Sequence, residues 1–148
     1  MPPITFESET HEDVYHSVEK FGQELFGELF FIPNEERPSF QVKYGSSLVQ
    51  VAVAVLPNDH TVVRVRSYVV TDIEPSAELF EYLLNTNQSL NFGAFSIDVD
   101  GDICLTHTIV GDTLDKLELG YSVMSICELS DEYDDEIRSR WGGRRAVD

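Results

Sequence analysis

The stretch FQVKYGSSLVQVAVAVLPNDHTVVRVRSYVV, residues 40–70, decides the fold, because apolar and polar residues alternate along most of it. Such alternation is typical of strands that bury one face. Gly45 and Ser46 fit a two-residue type II′ turn, which pairs Val42 with Val49. The remaining predicted pairs are Phe40 with Val51 and, across a loop around residues 58–60, Val55 with Val63, Val53 with Val65 and Val49 with Val69.

The two faces of these predicted strands differ in chemistry. One face is rich in valine and forms the expected core. The opposite face combines two cations, an aromatic ring and small apolar side chains, so we expect it to be half solvated. We predict a partner-binding patch on it that consists of Arg64, Arg66, Tyr68, Ala52 and Ala54. The alternative is that the two arginines pair with the protein's own carboxylates.

Helical periodicity flanks the strands on both sides. Apolar residues at three- and four-residue steps predict a first helix over about residues 10–31. A second helix opens at Pro75, since proline is favoured at the first helical position, and ends near Leu90. The last helix follows Asp112 as its N-cap and runs to about Arg138. The residues expected on its apolar face are Leu114, Leu117, Tyr121 and Met124.

Between the second and last helices, the stretch FSIDVDGDICL (residues 95–105) sets three aspartates around one glycine. A calcium loop of EF-hand type counted from Asp98 needs glycine and glutamate at positions where the chain has Ile103 and Ile109. We therefore predict a hairpin with a loop at residues 99–101, whose glycine takes the left-handed conformation. The predicted pairs are Ile97 with Ile103 and Phe95 with Leu105.

The element order is therefore helix, three strands, helix, two strands, helix. Segregated runs of strands and helices favour an α+β fold in which helices lie on an antiparallel sheet. A chain of 148 residues fits one domain, and we assign it residues 1–138.

Residues 139–148 complete the chain and are expected to form a short, basic, flexible tail. Two alternatives are that this tail lies on the protein's own acidic surface, or that it contacts an anionic partner through Trp141, Arg144 and Arg145.

The histidines do not form a catalytic or metal-binding pattern. His11 and His16 in HEDVYH are five residues apart, whereas a zinc-protease helix needs a spacing of four to bring both rings to one face. We interpret both as surface residues. His107 falls on the apolar side of its strand, where a lone histidine is more often a hydrogen-bonded core or edge residue than a catalyst. No catalytic residues, metal ligands or cofactors are predicted.

Charge and hydropathy exclude several classes of protein. The formal net charge is −17, which argues against a nucleic-acid partner because phosphates would be repelled. The apolar runs are too short to span a membrane. The N-terminal stretch lacks the basic and apolar regions of a secretory signal, so we expect a cytoplasmic location. Cys104 and Cys127 are expected to be buried thiols.

The segment LLNTNQSLNFGAFSIDVDGDICLTHTIVGDTLDKLELGYSVMSICELSDEYDDEI, residues 83–137, resembles the YbjN-like bacterial domains, whose fold is similar to that of type III secretion chaperones; an uncharacterised cyanobacterial branch is the suggested affiliation. The resemblance extends over residues 10–138. The positions that carry it are Asn87, Phe92, Gly93, Phe95, Asp100 and Gly101.

This resemblance implies a protein that is not an enzyme. The secretion chaperones of similar fold are small acidic dimers that hold an extended segment of another protein, so it also implies a protein partner and a homodimer. We therefore expect a protein-binding module, chaperone-like or regulatory, that binds on a sheet edge or on apolar patches. The alternative is a domain that binds a small ligand or a divalent metal through the aspartate turn or a pocket at His107.

Overall fold

The computed structural model describes residues 4–146 of the chain. Within these residues the helices are α1 (Glu9–Phe26), α2 (Ala77–Asn87) and α3 (Lys116–Trp141). The strands are β1 (Phe31–Pro33), β2 (Ser39–Tyr44), β3 (Ser47–Val55), β4 (Thr61–Thr71), β5 (Ala94–Ile97), β6 (Ile103–Val110) and β7 (Arg144–Arg145).

The strands form one antiparallel sheet in the order β1-β2-β3-β4-β6-β5, and β7 pairs with the end of β4. α1 and α3 pack on one face of this sheet, and α2 packs against β5. The predicted α+β fold and its order of helices and longer strands are confirmed. The two short strands β1 and β7 were not predicted, since three and two residues are too few for alternation to be recognised.

The predicted register of β2 with β3 is confirmed, whereas β3 and β4 pair two residues away from the prediction. Val53 lies opposite Val63 instead of Val65. The connecting loop is tighter than expected, because the Leu56 N–H donates to the His60 carbonyl at 2.8 Å. A shift of two residues keeps every side chain on its own face, so the valines remain inside.

α1 ends earlier than predicted, and the chain after it contributes to the core. Gly27 closes the helix with a φ of 86°, a left-handed conformation that favours glycine. The chain then brings Phe31 under the helix, where its ring stacks on Phe40 with 4.6 Å between centroids. Phe40 in turn stacks on Tyr15 at 4.9 Å. This aromatic stack ties α1 to β1 and β2.

α3 begins later than predicted. Its N-cap is Asp115, whose carboxylate accepts the Glu118 N–H at 2.8 Å. Asp112 instead reaches back to the start of β4, where it accepts the N–H and the hydroxyl of Thr61 and lies 2.7 Å from a ring nitrogen of His60. The buried Thr61 therefore has partners for its polar groups.

The face that α3 buries is not the face predicted from apolar spacing. Leu117 and Tyr121 are 69% and 56% exposed. A neighbouring face contacts the sheet, and its buried residues are Leu119, Ser122, Val123, Ile126, Cys127, Ser130, Asp134 and Ile137. Because both faces carry apolar residues, periodicity alone chose the wrong one.

The hairpin of β5 and β6 has the predicted register and turn. Ile97 pairs with Ile103 and Phe95 with Leu105. Gly101 has a φ of 85°, as a left-handed turn position requires. The tight-turn interpretation of the aspartate stretch is confirmed.

The predicted boundary at residue 138 falls inside a helix, because α3 continues to Trp141. After two glycines, Arg144–Arg145 pair with the end of β4. The Arg145 guanidinium also lies 2.9 Å from a carboxylate oxygen of Asp135. Up to residue 146, this segment therefore lies against acidic side chains of the same chain.

Candidate functional site

The five residues of the predicted patch share the sheet face opposite α1 and α3. Ala52 and Ala54 lie on β3, and Arg64, Arg66 and Tyr68 lie on β4. We call this set the outer-face patch. The register sets Ala52 opposite Arg64. Three residues of the patch also line an open groove of about 460 Å³, whose lining residues are Gln50, Ala52, Arg64, Val65, Arg66, Thr106 and Thr108.

The two arginines of the outer-face patch have different surroundings. Arg66 lies over the Tyr68 ring at 5.2 Å from its centroid. Partial burial raises the pKa of the Tyr68 hydroxyl, and the charge of Arg66 opposes that rise. Neither Arg64 nor Arg66 forms a salt bridge with a carboxylate among residues 4–146. Within that range, the alternative in which both pair with the protein's own acids does not hold.

A second surface lies on the helix side of the sheet, between the end of α1 and the first half of α3. It is a groove of about 590 Å³ lined by Leu25, Lys116, Leu117, Gly120, Tyr121 and Met124. We call it the helix groove. Its lining is almost wholly apolar. Phe92 stacks on Tyr121 with 5.5 Å between ring centroids, which supports the ring at one side of the groove.

The two edges of the sheet offer few free backbone groups. On β1, the Phe31 N–H already donates to the Gly27 carbonyl at 2.9 Å, and Pro33 has no N–H to offer. On β5, the Asn87 side chain accepts the Phe95 N–H at 2.6 Å and donates to the Phe95 carbonyl at 3.1 Å. These contacts disfavour addition of a partner strand at either edge.

The histidines of the HEDVYH segment lie apart, as their spacing predicted, but only one is at the surface. His11 is 3% exposed, so the prediction of two surface histidines is wrong for this residue. Its Nδ1 accepts the Glu7 N–H at 3.2 Å, and its Nε2 donates to the Val53 carbonyl at 2.9 Å. The ring therefore links the start of α1 to β3. His16 is exposed beside acidic side chains.

His107 has the structural role that was predicted for it. Its Nδ1 lies 2.7 Å from the Ser122 hydroxyl of α3, and its ring meets the edge of Phe92. Burial lowers the pKa of His107, which favours the neutral ring. Burial also raises the pKa of Cys104 to about 11 and that of Cys127 to about 12, so neither thiol is activated as a nucleophile.

The aspartate turn brings three carboxylates together, since ligand atoms of Asp98, Asp100 and Asp102 lie within 4.8 Å of one another. One oxygen of Asp98 accepts the backbone N–H groups of Asp100 and Asp102 at 2.9 and 3.0 Å. An aspartate that bonds to backbone groups a few residues ahead is typical of a turn. The turn's own hydrogen bonds therefore account for this pattern.

The outer-face patch stays a prediction, and sequence reasoning did not predict the helix groove. The signal was present in α3, where the apolar spacing of Leu117 and Tyr121 was assigned to the core. A second apolar set, which includes Leu119 and Val123, runs beside it on the same helix. A helix that is apolar on two faces can bury one and expose the other, and exposed apolar patches mark interaction sites.

A comparison with protein families matches residues 12–148 to a model described as TY-Chap1, T3SS (YopN, CesT) and YbjN peptide-binding chaperone 1. The chain belongs to this family. The resemblance to YbjN-like domains and type III secretion chaperones is thereby confirmed, and a peptide-binding role agrees with an exposed apolar groove. No curated protein matches the chain significantly. None of the helices within residues 4–146 is long and apolar enough to cross a membrane.

Proposed function

We propose that this protein is a non-enzymatic chaperone that holds an unfolded or extended segment of a partner protein, with the helix groove as the principal contact. The observation that carries the proposal is the exposure of Leu117 and Tyr121 beside Leu25 in a groove with almost no polar lining. Exposed apolar surface of this kind is costly in water unless a partner covers it.

The charge of the chain favours a partner segment that carries basic residues. The net charge is −17, so a cationic polypeptide is attracted before contact, and the groove then accepts its apolar side chains. Lys116 does not reverse this preference, because its ammonium group pairs with the Glu24 carboxylate at 3.1 Å.

The outer-face patch is proposed as a second contact. Arg64 and Arg66 make no salt bridge within residues 4–146, and arginine and tyrosine are enriched among residues that contribute most to binding. The patch lies on the opposite side of the sheet from the helix groove, so a long segment that wraps around the domain is needed to reach both. Loss of the patch is therefore expected to weaken capture less than loss of the groove.

Binding to reduced and carboxamidomethylated lysozyme, an unfolded cationic polypeptide, tests this proposal. Native lysozyme is the matched control, because it has a similar charge but no exposed unfolded segments. We expect the protein to bind the unfolded form at least about tenfold more tightly. Equal binding of both forms would show that charge alone is responsible and would overturn the proposal.

Two variants of the chain separate the two contacts. Leu117→Ser with Tyr121→Ser should reduce binding of the unfolded polypeptide about tenfold or more, since both side chains are exposed and their loss leaves the core intact. Arg64→Ala with Arg66→Ala and Tyr68→Ala should reduce it less. Unchanged binding by this triple variant, with its circular dichroism unaltered, would remove the outer-face patch from the proposal.

Homodimerisation in the cytoplasm is the remaining part of the proposal and rests on the family. Light scattering at tens of micromolar protein tests the dimer, and a monomer mass would contradict it. If the protein is a dimer and the Leu117→Ser, Tyr121→Ser variant is a monomer, the helix groove is the contact between two copies. That outcome would overturn its assignment to a partner segment.

A further inference from the structure

The short strand β7 is added to the sheet at the end of β4, which is an inner strand. β6 pairs with β4 as far as Val70, and β3 pairs with the other side of β4 only as far as Ser67. The last residues of β4 therefore extend beyond β3, and β7 pairs there, with Val70 opposite Arg145 and Thr71 opposite Arg144. Unlike the outer edges of the sheet, this position accepts an added strand.

Each arginine of β7 meets a carboxylate. Successive side chains of a strand point to opposite sides, so the two arginines reach different acids. The Arg144 guanidinium lies 3.6 Å from Asp72. The Arg145 guanidinium lies 2.9 Å from Asp135 and 3.9 Å from Asp134 on α3. Two consecutive arginines in an extended backbone therefore lie against acidic side chains at this position.

Asp134 is the most buried of these acids, and one of its two carboxylate oxygens lacks a hydrogen-bond donor among residues 4–146. Its side chain is 3% exposed, and its Oδ1 has no hydrogen-bond partner within residues 4–146. Its Oδ2 lies against the Ser46 hydroxyl, but that hydroxyl also lies 2.7 Å from Asp131 and has a single hydrogen to give. Burial raises the pKa of Asp134, and a buried carboxylate of this kind requires a cation or a proton.

The attachment of β7 to the rest of the chain is short and easily rearranged. Gly142 and Gly143 link it to α3 with φ values of 82° and 91°, which glycine adopts without strain. Arg144 and Asp72 are 75% and 70% exposed, so their ion pair contributes little. The contacts of this segment include two strand pairs and one partly buried arginine, and another chain with the same chemistry can make them.

We propose that the end of β4 together with Asp72, Asp134 and Asp135 is a docking site for an extended, arginine-bearing segment of a partner protein, and that residues 142–145 occupy this site as an internal competitor. We call it the arginine site. The proposal rests on the protein-binding role proposed above, but not on the helix groove or the outer-face patch. The internal segment imitates the bound partner, with backbone pairing along β4 and guanidinium groups on the acids.

A peptide with the sequence of residues 141–146, WGGRRA, labelled with a fluorophore, is the probe for this site. The full-length chain with Arg144→Ala and Arg145→Ala removes the competitor and keeps the site. We expect this variant to bind the peptide saturably with a Kd of about 0.1 mM or lower, and the unaltered chain to bind it at least about tenfold more weakly, because a tethered competitor at an effective concentration of about 1 mM weakens binding about tenfold at that Kd. Equal binding by the two proteins, or no saturable binding to the variant, would overturn the proposal.

Two controls distinguish the arginine site from general attraction to an acidic protein. A scrambled peptide, RWGARG, has the same composition and charge but no consecutive arginines, and its binding should be at least about tenfold weaker. Asp134→Asn and Asp135→Asn, added to the competitor-free variant, should abolish the difference between the two peptides. Equal binding of both peptides to the competitor-free variant would contradict the proposal.

The helix-groove variant separates this inference from the proposed function. Leu117→Ser and Tyr121→Ser, combined with the loss of both arginines, should leave peptide binding at the arginine site unchanged while reducing capture of the unfolded polypeptide. If the peptide is lost together with the polypeptide, the peptide binds in the groove and the arginine site is wrong. If polypeptide capture is undiminished in this variant while peptide binding remains, the groove proposal fails and the arginine site is retained.

Discussion

The helix groove and the outer-face patch lie on opposite sides of one sheet and expose opposite chemistry. The helix groove is lined by apolar side chains, whereas the outer-face patch presents two guanidinium groups and one ring among small side chains. The helices explain the difference. They cover the valine face of the sheet, and α3 is apolar on more than one face, so its surplus apolar surface appears in the groove.

This comparison teaches where stability and binding reside in the molecule. The helix side of the sheet combines the core with an exposed apolar surface, so substitutions there change stability or binding according to their depth. The outer side is exposed, so substitutions there should act on binding alone. Four measurements test this division.

The largest effect is expected at the aromatic stack under α1. Phe31→Ala should reduce the free energy of unfolding by about 3–5 kcal/mol, because a fully buried ring that stacks on Phe40 leaves a cavity. Tyr68→Ala on the outer side should reduce it by about 1 kcal/mol or less. Urea unfolding of both variants measures these losses. Similar losses of unfolding free energy on the two sides of the sheet would contradict the division.

Two glycines on the helix side should respond in opposite directions. A Cβ on Gly22 would lie 2.2 Å from the Phe31 ring, so Gly22→Ala should destabilise the protein by about 1–3 kcal/mol. A Cβ on Gly120 would meet Leu25 at 3.5 Å, an ordinary contact, so Gly120→Ala should stabilise the helix by up to about 1 kcal/mol.

The same Gly120→Ala variant should bind the unfolded polypeptide more weakly, since its methyl group narrows the helix groove. Urea unfolding and the binding assay together check this pair of variants. Destabilisation by Gly120→Ala equal to that by Gly22→Ala would show that Gly120 belongs to the core instead of the groove.

A pH titration tests the contacts that Asp112 makes with His60 and Thr61 at the start of β4. Hydrogen bonds from His60 and Thr61 lower the pKa of Asp112 from 3.8 to about 2. A carboxylate with a lowered folded-state pKa contributes stability above its unfolded pKa, and this contribution is lost as the pH falls from about 4 toward 2. Urea midpoints in that range should therefore fall more steeply for the unaltered protein than for Asp112→Asn. Parallel curves would show that the contacts of Asp112 with His60 and Thr61 contribute nothing to the free energy of unfolding.

The smallest effect is expected for the arginines of the outer-face patch. Arg64→Gln with Arg66→Gln should change the free energy of unfolding by about 0.5 kcal/mol or less, because neither residue forms a salt bridge within residues 4–146. Thermal unfolding checks this result. A clear loss of stability would show that the patch is structural and would weaken its assignment as a partner contact.

The hairpins were predictable because their information is local. Gly45 and Gly101 specify turns whose geometry fixes the pairing on either side, so β2 with β3 and β5 with β6 have the predicted registers. The loop between β3 and β4 lacks such a signal, and contacts from Asp112, distant in sequence, accompany its register. The predicted register was therefore wrong at the loop whose contacts come from a residue distant in sequence.

The sequence by itself determined the α+β class, the order of the longer elements and the face of β4 that carries Arg64, Arg66 and Tyr68, because alternation and turn chemistry are properties of neighbouring residues. Only the tertiary structure decided which face of α3 is buried, where the helix groove opens and how Arg145 reaches Asp134. Those outcomes depend on which of several apolar surfaces, distant in sequence, is buried. The free energy of each burial is determined by how the helices pack on the sheet.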